Sequence, residues 1–427
     1  MLKKTLILLT VALIAVTSCK KEDENQAPSK PKLLTPAKGA VVAPESITFT
    51  WEASTDAEGE AMEYDLAVSS DSVDWKYFSV GAASSKTIDN NSGNGSYYPF
   101  EVGKKYYWKV IVDSKDAGGQ ITGSAESDVV RFYTMPSGVA NLSKTSGDGF
   151  VNLAWTDPAG LSKVEVTFSP AVASITQPIT VNLGVGKVEL TGFTNSTIYS
   201  FYVKAFNSLG HPSKADTIKA LPLSPTLVHD ADFNIYSTVQ IGTQTWMREN
   251  LRATKWQNGQ EMKNDYYRFY KVSSQSDIYG YYYYVNAAIN EPLGKNPCPC
   301  GYHVPSDDEW KTLESFLGIP EVELDGMFLN RGENEGVGNL LKSTSGWMDY
   351  AIANDGNGSD LYAFKLLPAG FYDYSSFNYV GKFADVWTST KYVEYYNFSR
   401  RLSYQNKSIR RQAFGDSGAI SIRCVKD

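Results

Sequence analysis

The sequence predicts a multidomain chain in which two all-β sandwiches are followed by an α+β domain. Between residues 32 and 222, short aromatic and β-branched segments alternate with period two and are separated by Gly, Asp, Asn and Ser. Beyond about residue 230, tyrosine, glycine and tryptophan become dense and helical candidates appear among the strands. The clearest of these helices begins at Ser306, which with Glu309 forms a capping box, while Asp307 and Asp308 bring negative charge to the unpaired N–H groups. From there Trp310, Leu313, Phe316 and Leu317 recur at spacings of three and four, so the helix has an apolar face that must lie on something. With 427 residues, 42% hydrophobic and 20% charged, there is chain enough for several folded domains.

The first residues are not part of that fold. Lys3 and Lys4 precede an apolar run over residues 6–16 that is too short to span a bilayer and right for a secretion signal; no second run is long enough to cross. It continues into VTSC at 16–19, which resembles the lipobox of bacterial lipoproteins. The resemblance implies removal of residues 1–18 and acylation of Cys19; Val16 stands where leucine is usual, a change that Bacteroidetes-type signals tolerate. The following KKEDE at 20–24 is similar to the tag that carries such lipoproteins to the outer face of the outer membrane. Residues 19–31 read as a polar, proline-containing tether. The net charge of −7 and the lack of a basic run argue against a nucleic-acid partner.

The first sandwich is expected over residues 32–135, with Trp51, Tyr106 and Trp108 as core residues. Within it Asp56, Glu58 and Glu60 alternate like ligands for a hard cation, but without a second ligand group they read as an exposed turn. The second is expected over 136–222, where Tyr199, Phe201 and Val203 point to one face. Both resemble fibronectin type III domains, immunoglobulin-like sandwiches that serve as spacers or docking modules. The second does so through Trp155, Leu190 in VELTGF and Tyr199 with FYVKAFNSLG, the first through Trp51 and GKKYYWKVIVDSKDAGG. Pro222 and Pro225 flag a linker, placed at 223–229.

The last domain, 230–427, holds the remaining three cysteines. Cys424 is the distant partner for either Cys298 or Cys300, and such a bond closes a loop worth about 4–5 kcal/mol on the loop-entropy model. The runs IGTQTWMRENL at 241–251, CPCGYHVPS at 298–306, LPAG at 367–370, WTST at 387–390 and RCVKD at 423–427 resemble the Fibrobacter succinogenes major paralogous domain of surface lipoproteins. That resemblance implies a C-type lectin-like fold with a bridge between Cys298 and Cys424. Cys300 then occupies a variable position as a free thiol.

Catalysis finds little support. His211, His229 and His303 each stand apart from any Ser or Cys in a nucleophile setting. GYHVPSDDEW has a faint likeness to a stretch of formylglycine-generating oxidases, but those need a pair of reactive cysteines, one of which the bridge would consume. No enzyme activity and no organic cofactor are expected. Binding is better supported. Neighbouring residues on a strand point to opposite faces, so runs such as Tyr281 to Tyr284 and Tyr395-Tyr396 are expected to place some rings against solvent or a ligand. The ligand-contact candidates are Tyr372, Tyr374, Tyr379, Tyr392, Tyr395 and Tyr396. In the loop NDGNGSD, Asp355, Asn357 and Asp360 offer oxygens for calcium, although Asp-Gly and Asn-Gly steps also form tight turns. The expected protein is a lipid-anchored surface molecule whose head binds a glycan, or alternatively a protein partner.

Overall fold

The computed structural model describes residues 25–91, 96–263, 267–268, 277–285, 295–350, 356–373 and 375–427. The secretion signal, Cys19, Asp355 and Tyr374 lie outside the described residues.

The first domain contains β1 (Lys32–Thr35), β2 (Val41–Val42), β3 (Ser46–Glu52), β4 (Ala61–Ser69), β5 (Lys76–Gly81), β6 (Ser85–Asp89), β7 (Lys105–Lys115), β8 (Ile121–Glu126) and β9 (Val130–Thr134). One sheet runs β1-β3-β6; the other runs β2-β9-β7-β4-β5, with β8 also on β7. The period-two pattern of β7 turns Tyr106, Trp108, Val110 and Val112 into the space between them, where Trp108 and Phe132 pack on Phe49. Trp51 is buried there too. Residues at the end of the expected tether lie on this sandwich: Ser29 N–H donates to Thr55 O at 2.8 Å. The Asp56 turn is held by its own carboxylate, whose Oδ1 accepts from the N–H groups of Glu58 and Glu60.

The second domain is built from β10 (Ala140–Gly147), β11 (Phe150–Thr156), β12 (Leu161–Ser169), β13 (Ile179–Asn182), β14 (Lys187–Thr191), β15 (Tyr199–Asn207) and β16 (Asp216–Ala220). Its sheets run β10-β11-β14 and β13-β12-β15-β16, and Trp155, Phe168 and Phe201 fill the middle. Each sandwich carries the tyrosine corner of immunoglobulin-like domains. Tyr106 OH accepts from Glu101 N–H at 2.8 Å, and Tyr199 OH accepts from Thr194 N–H at 3.2 Å.

The third domain starts earlier than the linker prolines suggest, because Leu227–His229 forms its edge strand, β17. Then come β18 (Ile235–Ile241), β19 (Gln244–Met247), β20 (Tyr267–Arg268), β21 (Tyr282–Tyr284), β22 (Tyr302–His303), α1 (Asp307–Phe316), α2 (Glu321–Leu324), β23 (Asn330–Arg331) and α3 (Val337–Leu341). The chain ends with β24 (Phe371–Asp373), β25 (Ser376–Asn378), β26 (Phe383–Val393), β27 (Tyr396–Ser403), β28 (Ile409–Gly415), β29 (Ala419–Ser421) and β30 (Val425–Lys426). One sheet runs β17-β18-β19-β30-β22, the other β20-β21-β29-β26-β27-β28-β23, with β24 joined to β25 and β29. Strands therefore dominate the described part of a domain expected to be α+β, and α1, at 10 residues, is its longest described helix.

One expectation is narrowed and one corrected: in the run Tyr281 to Tyr284 only the outer two residues, Tyr281 and Tyr284, are partly exposed. Tyr282 and Tyr283 point to opposite faces and both are fully buried, because each side of β21 is covered by its own cluster. Alternation gives a solvent-facing ring only where one face of the sheet is open. On α1, Trp310, Leu313 and Leu317 enter the core against Trp246, Phe364 and Val386, but Phe316 is 51% exposed and packs edge-on to Tyr362.

Candidate functional site

The capping box predicted at Ser306 is formed. Ser306 Oγ accepts from Glu309 N–H, and Glu309 Oε2 accepts from Ser306 N–H at 2.7 Å. Just before it, Cys298 is bridged to Cys424, a closure of 126 residues, and Cys300 is free and exposed. The bridge lies beside β22 and β30, which pair antiparallel, so the last strand is stapled next to the start of α1. His303 adds a second link. Its Nδ1 lies 2.6 Å from Asp427 Oδ1 and its Nε2 lies 2.8 Å from Glu309 Oε1. Carboxylates only accept, so this arrangement favours the cationic imidazole, in which both ring nitrogens donate. Burial opposes that charge, but the hydrogen bonds to Asp427 and Glu309 outweigh it and raise the pKa above its ordinary value.

Beneath the helix start lies a cluster of five charges. Glu314 receives Nη1 and Nη2 of Arg331 at 2.8 and 2.9 Å and Nε of Arg400. Asp307 receives Arg400 Nη1 at 2.7 Å and Arg411 Nη2 at 2.8 Å. All five side chains are buried. Burial alone would raise the Asp307 carboxyl, but Arg411 and Arg400 pull it down to about 2. Every carboxylate oxygen here faces a guanidinium, so the cluster fixes α1 to β23, β27 and β28 and offers no free base.

The candidate tyrosines divide. Tyr372 is partly buried against Phe377 and Tyr284 and belongs to the packing of β24. Tyr379, 52% exposed, stacks on Phe371 with ring centroids 5.4 Å apart. Tyr392, Tyr395 and Tyr396 gather at the tip of the hairpin between β26 and β27, where together with Val393 they are 42–60% exposed. The tip is firmly seated. Tyr395 O accepts from Asp416 N–H at 3.0 Å, Thr388 Oγ1 donates to Phe398 O at 2.9 Å, and Tyr392 packs edge-on to Phe398 at 5.1 Å. Phe398 in turn lies 4.0 Å from the Arg411 guanidinium. Tyr395 holds φ +67°, a left-handed conformation that glycine adopts at lower cost, yet its ring is the most exposed of the three.

In the predicted calcium loop, Asn357 Oδ1 accepts from Trp347 N–H at 3.0 Å and Asp360 Oδ1 accepts from Lys365 N–H at 2.6 Å. Gly356 and Gly358 are required there, since a Cβ would meet Met348 O at 2.0 Å and Asn339 O at 2.5 Å. Among the described residues no group of three or more His, Cys, Asp or Glu is placed to hold a metal ion. Beside this loop the structure forms a recess that the sequence reading missed, lined by Glu333, Asn339, Lys342, Tyr350, Tyr404 and Asn406. Lys342 is 1% exposed at its floor, a placement that hydrophobic periodicity cannot reveal for a lysine.

Compared with known families, residues 239–426 match the model described as the Fibrobacter succinogenes major domain. Over this span the carboxy-terminal unit is similar to that domain. The matched span contains the disulfide, the charge cluster, the tyrosine hairpin and the recess, while β17 and the start of β18 precede it. Among solved structures, the chain is similar to chicken CNTN1 FN1-FN3 domains at 17% identity, covering 47% of this chain and 68% of that one, with a TM-score of 0.26. A two-domain fibronectin type III segment from chicken tenascin matches at 11% identity over 46% and 99%, TM-score 0.27. Fibronectin(III)-like modules of Clostridium thermocellum CbhA match at 12% identity over 45% and 94%, TM-score 0.24. The assignment of the two sandwiches rests on their strand orders and tyrosine corners rather than on these likenesses. No curated protein matches the chain.

Proposed function

We propose that this protein is a lipid-anchored surface protein of the Bacteroidetes outer membrane, in which two sandwich spacers carry a C-type lectin-like head that binds glycans. The anchor reading rests on the VTSC lipobox and the acidic run after Cys19. The bridge between Cys298, before an early helix, and Cys424, before the last strand, supports the lectin-like reading of the head. The observation that carries the binding reading is the hairpin tip: Tyr392, Tyr395 and Tyr396 stand in solvent on a turn tied down from beneath. Tyrosine offers a flat apolar face and a polar edge, and a fixed turn lets it bind with little ordering cost.

The test is binding of the soluble mature chain, with Cys19 removed, to a glycan array, beside the Tyr395→Ala and Tyr396→Ala variants. A well-stacked ring is worth about 1–3 kcal/mol of affinity, so either variant should weaken the selected glycan at least fivefold with an unchanged melting temperature. Retention of full affinity by both variants removes the tip as the contact surface. Absence of any glycan, with tip-dependent capture of a surface protein instead, establishes the protein-binding reading.

A further inference from the structure

The recess around Lys342 has the features of a second ligand site, distinct from the hairpin tip. Lys342 follows α3 and its Nζ donates to Asn406 O at 2.7 Å, with Asn339 Oδ1 at 3.5 Å and the Trp347 ring centroid at 5.0 Å. None of these partners is negatively charged. Glu333, the acid lining the recess, raises the Lys342 pKa only through the longer-range field, and its Oε2 accepts from Lys407 N–H at 3.1 Å. No carboxylate among the described residues forms an ion pair with Lys342. Burial pushes the amine down to about 8, which still leaves it protonated at neutral pH. A desolvated cation without a counter-ion costs several kcal/mol, and an anionic oxygen delivered from solvent would relieve that cost.

The walls narrow the class of anion. Tyr350 and Tyr404 stand edge to face with centroids 5.9 Å apart, and Tyr350 is 51% exposed, so its ring is available to the flat face of a sugar. The side chains of Asn339, Gln405 and Asn406 also line the recess, where Asn406 Oδ1 already accepts from Ser408 Oγ at 2.8 Å and leaves its amide N–H groups as donors. At about 160 Å³ the recess is smaller than the roughly 300–1,000 Å³ of a drug-sized pocket, so it admits one residue or one end of a longer ligand. The hairpin tip is at the Tyr396 end of β27 and the recess lies beyond its Ser403 end, roughly 25 Å away along the strand.

We propose that this recess is a separate subsite for a carboxylate-bearing sugar residue, such as a uronic acid, with the carboxylate at Lys342 and the ring against Tyr350. The proposal rests on the glycan reading for the class of ligand but not on the hairpin tip.

The experiment titrates the soluble mature chain with glucuronate and galacturonate, using glucose, galactose and a glutamate-containing peptide as comparisons. The readouts are side-chain NMR signals of Lys342 and Tyr350 and the binding constant. Both uronates should shift these signals, and Lys342→Met and Tyr350→Ala should weaken them at least tenfold, while Tyr395→Ala leaves them unchanged. If Lys342→Met fails to fold, the wild-type Lys342 signals and the exposed Tyr350→Ala variant decide. Equal binding of the neutral sugars, equal binding of the peptide, no shift at Lys342, or full uronate affinity in a folded variant each overturns the proposal. Full array binding by both Tyr395→Ala and Tyr396→Ala, with uronate binding still dependent on Lys342 and Tyr350, would overturn the tip reading alone.

Discussion

Replacing Glu314 is the sharpest test of how the carboxy-terminal domain holds together. Glu314 is fully buried and its two oxygens receive three guanidinium donors, two from Arg331 and one from Arg400. In Glu314→Ala, Arg400 and Arg411 are left sharing the carboxylate of Asp307, and Arg331 keeps only its bond to Leu324 O at 2.8 Å. Removing one partner of a buried pair costs about 3–5 kcal/mol, because the other charge stays buried. Glu314→Gln should fall near the lower end, since its amide oxygen can still accept. In a domain of this size each kcal/mol moves the melting temperature by about 2–4 °C, so the alanine variant should melt roughly 6–20 °C lower. Calorimetry of the mature chain should show this in the transition of the last domain alone, because each sandwich has its own core. A loss below about 1 kcal/mol would refute the reasoning and make the cluster a solvated one.

Two further predictions concern the same region. The folded-state pKa of His303 is raised, so its link to Glu309 and Asp427 contributes fully below the unfolded value of about 6.5 and is lost as pH rises through the folded value. Melting temperatures of wild type and His303→Gln measured from pH 6 upward should therefore converge, by about 1 kcal/mol or less for a group this accessible to solvent, and parallel curves would refute it. Non-reducing peptide mapping should recover Cys298 joined to Cys424 with Cys300 alkylated, and Cys424→Ser should destabilise the last domain by up to about 4–5 kcal/mol while both sandwiches melt as before.

What the sequence made legible was local. The Ser306 cap depends on residues three apart, and the alternation of β7 and β15 depends on residues two apart, so both could be read directly. The charge cluster could not. Asp307 seemed only to suit the helix dipole, yet its partners Arg400 and Arg411 stand 93 and 104 positions later on two other strands. Phe316 failed for the same reason: helical spacing identifies a face, while the depth of the groove beneath it depends on distant chain. Among the tyrosines, density was visible but its use was not. Tyr282 and Tyr283 were internalised by a sheet covered on both faces, whereas Tyr395 stayed outside because it occupies a turn. Lys342 gave no signal, since nothing local distinguishes a buried lysine from a solvated one.

These internal ties also hold the hairpin tip still, as the binding proposed for it would require. Asp307 N–H donates to Thr390 Oγ1 at 2.9 Å and Ser389 N–H donates to Pro305 O at 2.8 Å, so β26 is clamped to the start of α1 immediately before the tip. On the returning strand, Arg400 reaches the same helix, and Arg411 from β28 carries Phe398 on its face while Phe398 supports Tyr392. The tip is thus braced by both strands of its hairpin and by the neighbouring strand. A loop with the same tyrosines and none of these ties would have to lose its own freedom on meeting a ligand, at about 0.5–1.5 kcal/mol for each side chain immobilised. Here folding has already met much of that cost. The costly buried charges therefore serve the surface as well as the core: they hold α1 against three strands, and those strands present the rings.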